Sequence, residues 1–273
     1  MIHNGDVELF GSAGQRIRQS LPCEPSKPPR LKENLAPGHG TLKKRNRVTG
    51  VRWQASQRLE LDFWGRWTTL PPYRNLDIPA YWREEVARFG KTWACFDGLR
   101  VLDVGCGPFG LIHFIDHARE RVRIDPLLAQ YRQKLPLEGR QLSLSAMGES
   151  LPLAARSVDL AVCYNALDHM LDPDAALDEL ARVLRPGGTA LLMIHTFPAW
   201  LRPLFPVDRM HPHHFSAAAF QSMVRRRFQI ERFETVRRHF ELPLGTGLSP
   251  SFWKYRVGNL VVSSTYVSAT AAE

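Results

Sequence analysis

The segment VLDVGCGPFGLIHF, Val101 to Phe114, constrains this chain more than any other stretch. An apolar run ends in an acid and a glycine-rich turn, and an amphipathic segment follows. Glycine at 105 and 107 lets the backbone turn sharply off a strand and approach a ligand where any Cβ would stand in the way. A helix is expected to open around Gly110, with its free N–H groups and dipole facing the same crevice. Gly105, Gly107 and Gly110 also fit the GxGxxG spacing of dinucleotide-binding loops. The glycines therefore point to a nucleotide without saying which.

Downstream residues narrow the choice. Arg121 to Ile124 reads as a second strand with Asp125 at its end, 20 residues beyond Gly105. A carboxylate there can accept both hydroxyls of an adenosine ribose, which favours a nucleoside with a free 2′-OH. Gln141 to Ala146 alternates as a third strand, and Val158 to Cys163 forms a fourth. Asp172-Pro173 looks like an N-cap with proline in the first turn, and Leu177, Leu180, Ala181 and Leu184 make one helical stripe. Arg185-Pro186-Gly187-Gly188 should stop that helix before a fifth strand, TALLMIH. FQIERFETV and NLVVSSTYV read as the sixth and seventh.

Four of these stretches together, VLDVGCGPFG, the acid of RIDPLL, SLPLAARSVDLAVCYNALDHM and LARVLRPGGTALLMI, resemble the class I S-adenosylmethionine-dependent methyltransferases, in the branch with a ubiquinone-biosynthesis-like core. The resemblance runs from roughly Leu99 to His195. It implies an α/β, Rossmann-like, seven-stranded and mostly parallel sheet of order 3-2-1-4-5-7-6, with strand 7 antiparallel and helices on both faces. It implies S-adenosylmethionine (SAM) as cofactor. By the same resemblance, Asp103 and the backbone of Gly105, Cys106 and Gly107 would hold the methionine end. Asp125 would take the ribose hydroxyls, with Pro126 and Leu127 against the adenine. Met147 and Gly148 would border the adenine rim, Met147 standing where the family often carries an acid. Asn165 and Ala166 would line the sulfonium and methyl end. An NAD-linked oxidoreductase is disfavoured on physical grounds. Pro108 removes a backbone donor from a loop that would cradle a pyrophosphate, and no second half of comparable size follows His195.

At 273 residues and 44% apolar content, the chain can bury one sizeable core with an added arm or cap. Its net charge of +9 invites a nucleic-acid reading, but residues 1–53 hold 10 Lys/Arg against 4 Asp/Glu, so most of the excess lies there. That stretch is rich in Pro, Gly and Lys and is expected to be a poorly ordered basic arm. Residues 54–98 read as a helical, aromatic cap with helices near Ala55 to Trp67 and Pro79 to Phe89, and residues 99–273 as the methyltransferase domain. Leu59, Phe63, Trp67, Tyr81, Trp82 and Phe89 read first as packing against one face of the sheet, and by resemblance such a segment would also shape an acceptor pocket. LPPY at Leu70 to Tyr73 precedes the core, whereas amino-methyltransferases place such a motif after strand four. Neither a signal peptide, a mitochondrial presequence nor a membrane span is legible. Cys23, Cys95, Cys106 and Cys163 lack metal-ligand spacing and read as reduced thiols, which suggests a cytoplasmic protein.

Histidines at loop ends supply the acceptor-side candidates. His169 follows strand four, and His211, His213 and His214 lie in HPHHFS after strand five. Pro212 should hold that run extended and point alternate side chains apart. His211, His214 and His169 are the catalytic candidates, because an imidazole titrates near neutral pH and can take a hydroxyl proton. No metal is expected, since proline interrupts HPHH and no carboxylate completes a site. The expected activity is methyl transfer to a small-molecule acceptor, with oxygen favoured and nitrogen or carbon as alternatives. RNA methylation through the basic arm and Arg225-Arg226-Arg227 is a competing reading. So is a SAM-binding protein without catalysis. The connection ELPLGTGLSPSFWKYRVG reads as a lid loop or a surface excursion.

Overall fold

A computed structural model describes residues 48–66, 76–134, 141–204, 210–237 and 260–272. The basic arm up to residue 47, LPPY and the connection between the sixth and seventh strands lie outside the described residues. The chain divides into two compact units, Met1–Lys43 and Lys44–Glu273, and every described helix and strand belongs to the second.

Two helices precede the sheet, α1 (Gly50–Arg66) and α2 (Ile78–Arg88). Then come β1 (Arg100–Val104), β2 (Glu120–Ile124), α3 (Leu128–Lys134), β3 (Leu142–Leu144), β4 (Val158–Tyr164), α4 (Pro173–Val183), β5 (Leu184–Thr196), α5 (Ala217–Arg225), β6 (Phe228–Arg237) and β7 (Ser263–Ala271). They build a seven-stranded sheet of order β3-β2-β1-β4-β5-β7-β6. β7 runs antiparallel to both neighbours, and the other pairs are parallel. This is the expected order. Central β1 and β4 are covered on both faces, which is why they read as nearly continuous apolar runs.

Local signals explain several boundaries. Asp172 caps α4 by accepting from the backbone N–H groups of Asp174 and Ala175, with Pro173 in the first turn. Asp77 caps α2 in the same way, accepting from Ala80. β5 starts at Leu184, earlier than its TALLMIH stretch, and takes in Gly187 at φ 71°.

The two faces of the sheet are covered differently. On one, Leu177 and Leu180 of α4 and Phe220, Met223 and Val224 of α5 pack on Leu102, Val122, Leu192 and Val267. On the other, the helix expected to open at Gly110 is replaced by a single 3-10 turn, Leu111–His113. Asp103 accepts from the Ile112 N–H at 3.3 Å, and Leu111, Ile112 and Ile115 are already buried by that turn. The rest of this face belongs to α2, whose Trp82 and Val86 pack there together with Phe89. Trp82 Nε1 donates to the Phe109 carbonyl at 2.9 Å, tying α2 to the glycine loop. Beneath it, the buried Glu85 accepts from the hydroxyls of Tyr164 at 2.5 Å and Tyr266 at 2.6 Å. No periodicity signals that acid.

Arg226 and Arg227 are engaged by acids of α4. Both pair with Asp174, and Arg227 also reaches Asp178. Among the described residues, no helix is long and apolar enough to cross a membrane, and Cys95, Cys106 and Cys163 are free thiols.

Candidate functional site

The donor side grows out of β1. Gly105 sits at φ 70°, and a Cβ there would fall 2.3 Å from the Ala166 Cβ. Only glycine satisfies both the left-handed backbone and this approach. The loop is pinned from below. Asp125 accepts from the Gly107 N–H at 3.0 Å and from the Leu127 N–H at 2.8 Å, one bond to each carboxylate oxygen. Each oxygen keeps acceptor capacity for a further donor such as a ribose hydroxyl. Burial pushes Asp125 up to about 6, against the lowering effect of those two N–H donors. Burial likewise raises Asp103 to about 7, opposed by the Ile112 N–H and reinforced by nearby Asp125. For both carboxylates burial outweighs the groups that favour ionisation, including the Arg123 guanidinium near Asp103, and the loop beside them admits no Cβ at Gly105. Such a place suits a cationic ligand.

Arg123, on β2, is buried below this loop and donates to Ser143 Oγ at 2.7 Å and His113 Nε2 at 2.9 Å. Burial lowers its pKa. Cys106 is buried with Leu127, Leu128 and Tyr131, and Leu61 and Trp64 of α1 pack against this group. α1 roofs the cradle. The Trp64 ring lies 3.3 Å from where a Cβ of Gly107 would be, and Trp64 Nε1 donates to Glu60 Oε1 at 2.7 Å. A groove of about 320 Å³ opens between α1 and the β2–α3 segment, lined by Gln54, Gln57, Leu61, Pro126, Leu127 and Gln130 among others. Pro126 and Leu127, the residues expected against the adenine, are therefore on one wall of it. Gly148 is buried, its missing Cβ leaving room for Met170, and Met147 beside it is half-buried. Glu149 accepts from the Leu171 and Asp172 N–H groups, which makes it a brace for the loop after β4.

The acceptor side begins where β4 ends. Asn165 takes the left-handed conformation at φ 52°, Ala166 abuts Gly105, and a 3-10 turn, Leu167–His169, presents Asp168 and His169. The HPHHF run is drawn against the C-terminal end of β5, with Phe215 bridged to Thr196. Its register to the β4 loop comes from His213, whose N–H donates to the Asp168 carbonyl at 3.2 Å and whose Nε2 contacts the Met170 carbonyl oxygen at 2.9 Å. Burial lowers the His213 pKa.

These constraints bring His169 and His211 together, ring centroids 4.5 Å apart. Asp168 lies between them: its carboxylate oxygens are 3.9 Å from His211 Nε2 and 4.0 Å from His169 Nε2. Glu60 Oε2 approaches His169 Nδ1 from α1 at 3.7 Å. His214 goes elsewhere, its ring edge-on to Phe197 at 5.6 Å. The expectation that no carboxylate accompanies the HPHH histidines does not hold, because Asp168 arrives from another loop. Sequence reasoning missed Asp168, Glu60 and Trp64. Asp168 is adjacent to a chosen histidine, and Glu60 and Trp64 are spaced i, i+4 on one helix. Neither signal says what these residues face.

Residues 102–192 match the methyltransferase domain family. An uncharacterized methyltransferase of Mycobacterium sp. (strain JLS) is 36% identical over 107 residues, 39% of this chain and 41% of that protein. The ubiquinone/menaquinone biosynthesis C-methyltransferase UbiE of Syntrophotalea carbinolica is 35% identical over 106 residues, 36% of this chain and 45% of that protein. The matches thus span under half the length of both relatives. Among solved structures, the [4+2]-cyclase SpnF superposes with a TM-score of 0.59 at 21% identity, covering 81% of this chain and 97% of that one, a likeness of fold.

Proposed function

We propose that this chain, whose core is a class I SAM-dependent methyltransferase domain, transfers a methyl group from SAM to an oxygen of a hydroxylated small molecule. The observation that supports the donor assignment is the Gly105–Gly107 turn, with both glycines at positive φ, no room for a Cβ at Gly105, and the buried carboxylates of Asp103 and Asp125 beside it. Bound there, SAM supplies an electrophilic methyl group on a sulfonium. Asp103 and the Gly105–Cys106–Gly107 backbone hold the methionine end in this reading, and Asp125 holds the ribose. Pro126, Leu127, Met147 and Gly148 border the adenine, while Asn165 and Ala166 line the methyl end.

What remains for the protein is to place a nucleophile in line and to favour its deprotonated form. His169 and His211, with Asp168 and Glu60, are the groups available for that on the acceptor side. His214, whose ring meets Phe197 edge-on, is assigned no role in this reading. A hydroxylated ring suits the aromatic surroundings of Trp64 and Phe109. The activity named for the Syntrophotalea relative favours a second reading, in which a deprotonated phenol directs methylation to ring carbon. A small molecule is preferred to RNA because Arg226 and Arg227 are already paired with acids.

The test is calorimetric titration with SAM and with NAD, followed by mass spectrometry of a hydroquinone panel incubated with methyl-labelled SAM. Saturable SAM binding and a labelled product are expected. NAD binding tighter than SAM would overturn the family assignment, and SAM binding without any labelled product would favour a non-catalytic protein.

A further inference from the structure

Resting on that reading of the acceptor side, we propose that Asp168, His169 and His211 form a site for a divalent transition-metal cation that holds the acceptor's oxygen. One ligand atom from each of the three residues lies within 4.8 Å of the others. Two imidazoles and one carboxylate leave coordination positions open, as catalytic zinc and non-haem iron sites do. The nitrogen–oxygen separations of 3.9 and 4.0 Å exceed any hydrogen bond. They lie a few tenths of an ångström beyond the roughly 3.3–3.6 Å that separates two ligands at a tetrahedral ion with bonds of about 2.0–2.2 Å, so a small inward shift of the side chains would close them on a cation.

The second line of support is an unmet electrostatic demand. The Asp168 side chain is only 3% exposed, and its Oδ1 has no hydrogen-bond partner. A buried carboxylate oxygen without a donor is costly, and a cation between it and the two imidazoles would remove that cost. His169 Nδ1 is also buried without a hydrogen bond and faces Glu60. A carboxylate behind the far nitrogen of a metal-bound histidine is the usual outer arrangement, and it fixes which nitrogen binds the ion. The two loops are already held in register through His213, so the three ligands need little rearrangement to converge.

The site adjoins the donor loop through Ala166 and Gly105. A cation here would bind the hydroxyl oxygen of the acceptor and lower its pKa, with the imidazoles serving as ligands. Cobalt(II) is the probe of choice, because its visible absorption reports nitrogen coordination. The full chain, stripped with a chelator, is titrated with cobalt chloride by absorption and calorimetry, with SAM titrated into the same samples. One equivalent of cobalt is expected to bind the unaltered chain. Asp168→Asn and His211→Ala should lose stoichiometric binding, and Glu60→Gln should weaken it roughly 10–100-fold. His214→Ala should bind cobalt as before. SAM binding in each sample reports that the variant is folded. No stoichiometric cobalt binding, or binding that survives both ligand substitutions, overturns the proposal even if SAM binds. Failure of SAM to bind the unaltered chain overturns the underlying reading instead.

Discussion

The donor and acceptor sides of the crevice are built by opposite means. Asp103, the glycine loop and Asp125 lie within one strand–turn–strand stretch, and backbone N–H groups of that stretch donate to the two carboxylates. Glu60, Asp168, His169 and His211 come from three segments far apart in the chain and meet only as side chains. A backbone cradle demands particular dihedral angles at particular residues, so its pattern must be written in consecutive positions. A side-chain cluster demands only proximity, which many sequences can supply. Substitutions on the donor side should therefore disturb folding and SAM binding together, whereas those on the acceptor side should touch turnover alone.

The largest expected effect is at Gly105. Gly105→Val places a branched side chain at φ 70° with its Cβ 2.3 Å from that of Ala166. SAM binding should vanish and stability should fall by about 3 kcal/mol, measured by calorimetry and urea unfolding. If binding persisted, the cradle would not be the donor site. His211→Ala comes next, with turnover falling roughly 10²–10⁴-fold, the effect typical of losing a group that manages the nucleophile's proton. SAM affinity should stay within about twofold, well below the ~1.4 kcal/mol that marks a tenfold change. A parallel loss of SAM affinity would break the separation of the two sides.

Asp125→Ala is expected to cost about 2–3 kcal/mol of SAM affinity, as when a charged acceptor is removed from a buried hydrogen bond. Unchanged affinity by calorimetry would remove Asp125 from the ribose. Acidity offers a finer measurement. Asp103 and Asp125 titrate near 7 and 6, above their ordinary values, because burial favours the neutral acids. Between pH 4 and 7 the native state consequently holds more protons than the unfolded chain. The stability these groups contribute is present at low pH and is lost as pH rises through those values. A cationic ligand prefers the ionised carboxylates, so SAM affinity should move the other way, rising from about pH 5 to about 7 and levelling off above. Titrations across that range, with buffers of different ionisation heat, should also show proton release on binding. Flat affinity would mean that neither carboxylate meets the ligand's positive charge. The smallest effect should come from removal of Met1–Lys43 in the basic arm, which ought to leave SAM affinity within about twofold.

Legibility obeys the same division. Glycine spacing, the acid after β2 and the Asp172-Pro173 cap are local devices, and each sits where the chain's own letters place it. The segment after Gly110 shows the limit of that logic. Leu111, Ile112 and Ile115 have a spacing that a helix would satisfy, yet a single turn buries them once Asp103 takes the Ile112 N–H and α2 occupies the face beyond. Likewise, the run around Pro212 bends rather than staying extended as expected, and His211 and His214 meet different partners. Which of the two meets His169 depends on the His213 bonds to Asp168 and Met170.

The donor loop and the position of Asp125 were determined by sequence, because backbone dihedrals, caps and apolar periodicity act over a few residues; the strand order was legible only through the family resemblance, since it joins segments far apart in the chain. The roof made by Trp64, the buried Glu85 with its two tyrosines, and the Asp168–His169–His211 cluster were decided only by the tertiary structure. Each depends on distances between segments that no local rule relates. A carboxylate or an imidazole carries no mark of its partner until packing has removed the water between them.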